Sequence, residues 1–448
     1  MKKLLFWILL LGLILRLVSL NQSFWLDEAT SGLVARNFNF GEIISKFSPG
    51  DFHPPFYYLL LKVWSMIFGT SEIALRSLSV IFGVASIYLV YLIGKKISDK
   101  KVGLIAAVLL ATSGLHVYYS QEARMYTLAT LLVSFLVYSF LKEKWVLFST
   151  LLVLIAMTDY PALLIIPIFW ILGRKNWKRL AISHLPLAIY CFFWYPVFIK
   201  QFSSGLAVRT SAGGWWNVLG KTSLKEILLI PTKFIFGRIS LVNKTIYALL
   251  VSVVGLAYAY ILLLAKPKKR YYHNIVWMWF LIPILVAAAL GLKVSVFSYF
   301  RLIFVLPAFF LLLALGISKL KGSWFKFALG FVLVVNILST GAYLFNPRFQ
   351  RENWRDLVSF IDKESKGFSS ITLFVADSNM EAYRYYDSNA KISGPEGLNN
   401  GFDQIWLMRY VQPIFDPEDK VRAQVEKMNY IKQAEYDFNG VVVWKYSK

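Results

Sequence analysis

Four carboxylates crowd into one short stretch between two apolar runs. Asp27, Glu28, Glu42 and Asp51 all lie between Phe24 and Tyr58, in FWLDEATSGLVARNFNFGEIISKFSPGDFHPPFYY, which also carries His53. The chain has 25 acidic residues, but 15 of them fall in the last 103 positions; of the ten left for residues 1–345, four are here. Acids set between apolar segments are hydrated, paired or used, so such clustering marks a candidate site. Two further polar groups open later apolar runs, Gln121-Glu122-Ala123-Arg124-Met125-Tyr126 and Tyr299-Phe300-Arg301. Carboxylates suit the removal of a proton from a hydroxyl, and arginines suit the holding of a phosphate. A plainer reading stands beside each group. Asp27 and Glu28 suit the first turn of a helix, Asp51 a cap before Pro54 and Pro55, Arg124 a snorkelling or paired residue, and Arg301 an interfacial anchor.

The elements that must position these groups are apolar. Of the 448 residues, 57% are hydrophobic and 17% aromatic, and the mean hydropathy is +0.56, the profile of a polytopic membrane protein. A net charge of +23 resembles a nucleic-acid signal until it is divided along the chain. The last 103 residues balance 14 basic against 15 acidic side chains, whereas residues 1–345 carry 34 against ten. Basic residues confined to the apolar part follow the positive-inside rule, and no nucleic-acid partner is expected. Cys191 is the single cysteine, so no internal disulfide framework exists, and the histidines at 53, 116, 184 and 273 lack zinc-cage spacing.

Eleven apolar runs are expected to span, near 4–20, 73–93, 102–119, 124–141, 145–158, 160–172, 180–199, 246–265, 274–292, 302–318 and 324–345. The first, with its Lys2-Lys3 start, reads as a retained span, because no small-residue cleavage site follows it. Basic residues then fall in every second connection, at 95–101, 142–144, 174–179, 266–270 and 319–326. This parity places those loops inside, and Asp27, Glu28, Asp51, Glu122 and Asp159 outside. The run 54–69 is too short to cross and is laid along the outer surface, while Asp159-Tyr160-Pro161 divides 145–172 into two short spans. The connection 200–245 reads either as a cover over a cavity or as a surface connector. Beyond Asn346-Pro347 the composition turns soluble, and helix and strand patterns alternate, predicting a small extracytoplasmic α/β domain over 346–448 behind a membrane domain over 1–345. None of the candidate chemistry falls in that tail.

The motifs WLDEA, HPPFYY, SEIALRSLSVIFG, VYYSQEARMYTLATLL and SYFRLIFVLPAFFLLLALG, in this order, resemble the polytopic membrane glycosyltransferases of the C-type superfamily. Within it, the likeness is to the protein O-mannosyltransferases and the aminoarabinose transferase of lipid A. It covers roughly residues 1–345, and one position departs: Leu302 follows Arg301 where those relatives often have Tyr. The resemblance implies an inverting glycosyltransferase that moves a sugar from a polyprenyl-phosphate donor, dolichyl or undecaprenyl, to a hydroxyl on a protein, glycan or lipid at the outer face of the cell membrane. On that reading Asp27 takes the acceptor's proton with Glu28 beside it as the catalytic pair. His53, Arg124 and Arg301 bind the donor phosphate, and Glu122, Tyr126 and Asp51 orient the substrates. No cofactor is required, although a divalent cation held by Asp27, Asp51 and Glu122 is compatible with the same acids.

Rival readings use the same residues. A transporter or lipid-linked sugar flippase would bind this class of ligand without chemistry, but it would place ionisable residues near the middle of spans, and almost none occur there. A binding module on a membrane anchor would not need eleven spans. The topology predicts that cysteines introduced at Ser211 or Ser388 react with an impermeant thiol reagent in sealed cells and that one at Ser98 does not; labelling at Ser98 would reverse the orientation.

Overall fold

The computed structural model describes residues 2–211, 220–266 and 270–448. The Gly-Trp-rich part of the 200–245 connection, residues 212–219, and positions 267–269 of one basic loop lie outside the described residues. The chain is mainly helical and ends in a five-stranded sheet. Helix α1 (Lys2–Leu17) is followed by the short polar helix α2 (Leu26–Asn37), which carries Asp27 and Glu28 in its first turn. Acids there complement the positive end of the helix dipole.

Four helical segments are long and apolar enough to cross a membrane: Glu72–Ile97, Arg174–Ala207, Lys244–Leu263 and Gly322–Phe345. Others, including Phe56–Phe68, Tyr126–Leu141 and Trp145–Ala156, run to 10–17 residues, short of the roughly 20 needed to cross along the normal. The run beginning at Pro54 is therefore a 13-residue helix, in keeping with its expected surface placement, and the run 145–172 is interrupted after Ala156 and resumes at Tyr160, where the sequence placed a break.

One expected span is not continuous. The run 102–119 forms two helices, Lys100–Ala111 and Gly114–Ser120, bent by 63°. Breaking a helix inside apolar surroundings frees backbone carbonyls that water cannot reach, and each must find a donor. Arg16, at the end of α1 and fully buried, supplies several. Its guanidinium donates to the carbonyls of Ala111 at 3.0 Å and Leu110 at 3.4 Å, to Gly12 at 2.7 Å and to the Ser120 hydroxyl at 3.0 Å. His116 Nδ1 lies 2.6 Å from its second terminal nitrogen. Gly83 faces this knot, where an added Cβ would collide with the Ser120 side chain. Asn336 and Thr340 of the last long helix complete the repair, donating to Leu109 O at 2.9 Å and Thr112 O at 2.8 Å.

The C-terminal sheet has the order β2-β1-β3-β5-β4, formed by β1 (Ser370–Leu373), β2 (Ile392–Ser393), β3 (Gln404–Met408), β4 (Ile431–Asp437) and β5 (Val442–Ser447). Its β1 pairs are parallel and the β3-β5-β4 pairs antiparallel. The helices Trp354–Glu364, Glu381–Tyr386 and Lys420–Lys427 fall where the pattern placed them. The last of these helices was expected to run on to Lys432 but ends at Lys427, and β4 begins at Ile431. β4 is a strand because Asn439 and Gly440, both at positive φ, turn the chain back and pair it with β5.

This domain is bolted to α2. The Tyr386 hydroxyl accepts from the Phe24 amide at 2.7 Å and donates to Glu72 at 2.8 Å, and Arg355 pairs with Glu72 at 2.6 Å. Tyr385 packs on Phe24 and against Gly32, where a Cβ would meet its ring at 2.6 Å. Arg16→Leu should lower stability by about 2–4 kcal/mol, because it strands the freed carbonyls in an apolar interior; thermal unfolding of the detergent-solubilised protein checks this, with Arg16→Lys expected to recover part of the loss.

Candidate active site

Glu28 and Asp27 are adjacent in sequence and opposite in situation. Successive helical residues point about 100° apart, so fixing one inward turns the other outward. The Glu28 side chain is fully buried, and both its oxygens are taken. Arg76 donates to Oε1 at 2.8 Å and to Oε2 at 2.6 Å, the Ala123 amide donates to Oε1 at 2.8 Å, and Arg351 Nη1 lies 3.5 Å from Oε2. Burial disfavours this charge, but Arg351 and Arg76 outweigh it and hold the Glu28 carboxyl below the usual range. The Asp27 side chain is 41% exposed. It borders a cavity of about 710 Å³ together with Thr30, Lys46, Asp51, Ser378 and Glu381.

Behind Asp27 stands a buried cation. Arg124 sits in the turn between Ser120 and the helix Tyr126–Leu141, its Nη2 3.6 Å from Asp27 Oδ2 and its Nη1 3.0 Å from the Tyr58 hydroxyl. That hydroxyl donates to Asp51 Oδ2 at 2.8 Å, and His53 Nδ1 lies 3.3 Å from Arg124 Nη2 and 3.5 Å from Asp51 Oδ2. Asp51 is thus not a helix cap. The helix that follows begins at Phe56 after Pro55, and the Asp51 carboxylate serves the Tyr58–Arg124 pair instead. Burial opposes the Asp51 charge, yet His53, Arg124 and Tyr58 bring its carboxyl down to about 2. Burial and Arg124 together push His53 below its ordinary value, so its ring is neutral near pH 7. Its Nδ1 lies within reach of both the Arg124 guanidinium and the Asp51 carboxylate, accepting from the first in one tautomer and donating to the second in the other.

Arg301 lies in the same electrostatic neighbourhood. It feels Tyr126, Asp159, Asp27 and Arg124, and donates to the Ser295 carbonyl. Tyr126 is buried between Tyr119 and Phe300, at ring separations of 4.9 and 5.9 Å. Gln201 ties the long helix Trp177–Ser211 to this loop, donating to Ser48 O at 2.6 Å and His53 O at 3.1 Å; the described start of the 200–245 connection therefore packs on the candidate site.

Glu122 is buried beside Glu28 rather than open to the cavity. Its Oε2 lies 3.3 Å from Arg351 Nη1, and its Oε1 is buried with no hydrogen-bond partner among the described residues. Burial raises its carboxyl, with Glu28 adding to the effect and Arg351 opposing it. Asp27, Asp51 and Glu122 therefore do not share a centre, and no group of three His, Cys, Asp or Glu among the described residues is placed to hold a metal ion.

Two residues of this site escaped the sequence reading. Arg76 lies within the SEIALRSLSVIFG motif, and an arginine inside an apolar run was the available signal. Arg351 stands in the tail, where a charged, helix-like context gave none. It enters the membrane domain to reach Glu28 and Glu122, and also donates to the carbonyls of Tyr118 at 3.3 Å and Gln121 at 3.1 Å. Together with Ser378 and Glu381 in the cavity wall, it brings the tail, where none of the candidate chemistry was expected, against the candidate site.

Residues 52–199, about a third of the chain, match the family described as dolichyl-phosphate-mannose-protein mannosyltransferase. A relative from Aquifex aeolicus, described as uncharacterized, is 24% identical over 299 residues, 62% of this chain and 56% of its own length, so this chain spans just over half of that protein. In structure, the chain is similar to ArnT from Cupriavidus metallidurans bound to undecaprenyl phosphate, with a TM-score of 0.60 at 10% identity, covering 99% of this chain and 97% of that one. It is also similar to the oligosaccharyltransferase AglB from Archaeoglobus fulgidus in complex with an inhibitory peptide and a dolichol-phosphate, with a TM-score of 0.55 at 13% identity over 99% and 74% of the two chains. At these identities the structures establish a common fold. With the family match over residues 52–199, they agree with the resemblance to polytopic membrane glycosyltransferases drawn from the motifs.

Asp159, in the break before Tyr160, offers a test of the local electrostatics. Burial raises its carboxyl to about 7, with Arg301 opposing. An acid raised in the folded state favours folding fully below its unfolded value near 4, and that contribution is lost as pH climbs toward 7. Asp159→Asn should therefore be more stable than the native chain at pH 7.5 by on the order of 2–4 kcal/mol and nearly equal to it at pH 4; thermal unfolding at the two pH values would read the difference.

Proposed function

We propose that this protein is an inverting glycosyltransferase that moves a sugar from a polyprenyl-phosphate donor to a hydroxyl acceptor on the extracytoplasmic face of the cell membrane. The observation that carries this reading is the pairing of an exposed carboxylate, Asp27, with a buried arginine, Arg124, across 3.6 Å at the edge of a cavity. The base and the leaving-group site are thereby adjacent. The family match and the undecaprenyl phosphate and dolichol-phosphate held by the similar structures support a lipid-phosphate donor.

In the proposed reaction the acceptor oxygen attacks the anomeric carbon while its proton passes to Asp27. The bond from that carbon to the phosphate oxygen breaks, and the electron pair leaves with the lipid phosphate. A phosphate already ionised at neutral pH needs cations rather than a general acid, and Arg124, Arg301 and the His53 ring are the groups for it. Preorganisation explains the supporting residues: Tyr58 and Asp51 hold Arg124 in place before substrate arrives, so little reorganisation accompanies charge development. Tyr126 and Asp51 line the approach, while Glu28 and Glu122 act from behind, through the position of α2. The apolar helices leave the donor's hydrocarbon tail in the bilayer and bring only its phosphate to the site.

Asp27→Asn preserves shape and removes basicity. Transfer from a sugar-labelled polyprenyl phosphate should fall about 10²–10⁴-fold with donor binding retained, and near-normal transfer would remove Asp27 from the role of base. Arg124→Ala or Arg301→Ala should weaken donor binding by about 1.5–3 kcal/mol each, measured with the lipid phosphate alone; Lys at either place should restore only part.

A further inference from the structure

The cavity beside Asp27 has two walls of different origin. One is the first loop and α2, with Thr30, Lys46, Asp51 and Phe52; the other is the soluble domain, with Ser378 and Glu381. Those two residues come from the turn Asp377–Asn379 and the first turn of the helix Glu381–Tyr386. That helix cannot drift relative to Asp27, because Tyr386 holds the Phe24 amide at 2.7 Å and Arg36 donates to the Tyr385 carbonyl at 3.2 Å. Glu381 is only partly used within the fold. Its carboxylate lies against its own amide and that of Met380, while Oε2 has no hydrogen-bond partner among the described residues.

The charge of the cavity is unbalanced. Its lysine, Lys46, is paired with Glu42 at 2.8 Å, Asp51 is held by Tyr58, and Asp27 is paired with Arg124 at 3.6 Å, which leaves Glu381, with Arg384 as the nearby cation, as the carboxylate facing the space without a partner for its Oε2 among the described residues. Arg124, a phosphate donor of the proposed reaction, stands behind Asp27 at 3.6 Å. A ligand in the cavity therefore meets the Asp27–Arg124 pair on the membrane-domain wall and the Glu381 carboxylate on the soluble-domain wall.

Resting on the transferase reading above, we propose that Glu381, with Ser378, binds the acceptor and sets its class: a neutral or cationic molecule that presents hydroxyl or ammonium donors to Glu381 while its reacting hydroxyl lies at Asp27. An anionic acceptor is disfavoured, because it would place like charge against the Glu381 carboxylate. Glu381 takes no part in bond making, so its loss changes acceptor affinity and choice while the chemical step persists.

The test uses the full chain in nanodiscs with a sugar-labelled polyprenyl phosphate, octyl glucoside as neutral acceptor and octyl glucuronide as its anionic counterpart. The native chain should prefer the neutral acceptor by about tenfold or more in kcat/KM. Glu381→Gln should raise the KM for octyl glucoside about tenfold, leave release of sugar to water within threefold of native, and narrow the preference against the glucuronide. Glu381→Ala should act in the same direction, and unchanged binding of the lipid phosphate in both variants shows that the site is intact. Equal KM values in native and variant chains, a native preference for the glucuronide, or transfer to neither acceptor by a chain that releases sugar to water would overturn this assignment. Absence of both transfer and release in the native chain would instead sink the transferase reading itself.

Discussion

Everything at the candidate site depends on where the charge of Glu28 goes. A carboxylate sealed from water costs several kcal/mol unless cations and hydrogen bonds replace its hydration. Arg76 and the Ala123 amide provide that at 2.6–2.8 Å, with Arg351 close behind. The consequence is positional rather than chemical. With Glu28 pinned to the helix Glu72–Ile97 and to the turn before Arg124, α2 has one rotation open to it, and that rotation turns Asp27 toward the cavity. Arg351 extends the same constraint into the soluble domain by touching Glu122 as well, so three separate parts of the chain meet on two buried acids. Removing a single member would leave an uncompensated charge, which is why the network acts as a unit.

The turn that carries Glu122, Ala123 and Arg124 has its own support. It follows directly on the bent helix pair whose kink Arg16 repairs, and the Gln121 side chain donates to the carbonyls of Arg16 at 3.0 Å and Val18 at 2.6 Å. The end of the first helix therefore braces both the kink and the turn. A buried arginine that donates to several carbonyls is well suited to this, since its planar fork offers five N–H groups in fixed directions.

Much of this was legible in the sequence for a simple reason: apolar runs and their interruptions are read at the level of composition. The break at Asp159-Tyr160-Pro161, the short helix after the Pro54-Pro55 pair and most of the tail's elements all announce themselves by proline, charge or alternation. The kink after Ala111 did not, because Thr112, Ser113 and Gly114 are small enough to pass as part of an apolar run, and the residue that makes the kink tolerable, Arg16, lies 95 positions away from Ala111. Arg351 was invisible for the same reason. Its partners are distant in the chain, and nothing local distinguishes a charged residue that enters a neighbouring domain from one that meets water. Asp27 and Glu28 were found as a pair, but the division between an outward acid and an inward one required the positions of Arg76 and Ala123.

In the proposed reaction a carboxylate, Asp27, takes the acceptor's proton beside a phosphate-binding cation, Arg124, and the sugar is displaced from its phosphate in a single step. The most direct measurement is the anomeric configuration of the product, determined by nuclear magnetic resonance after transfer from a polyprenyl phosphate of defined configuration to a simple alcohol. A single displacement at this site predicts complete inversion at the anomeric carbon. Retention would require a covalent or otherwise two-step route and would contradict the assignment of Asp27 as a base.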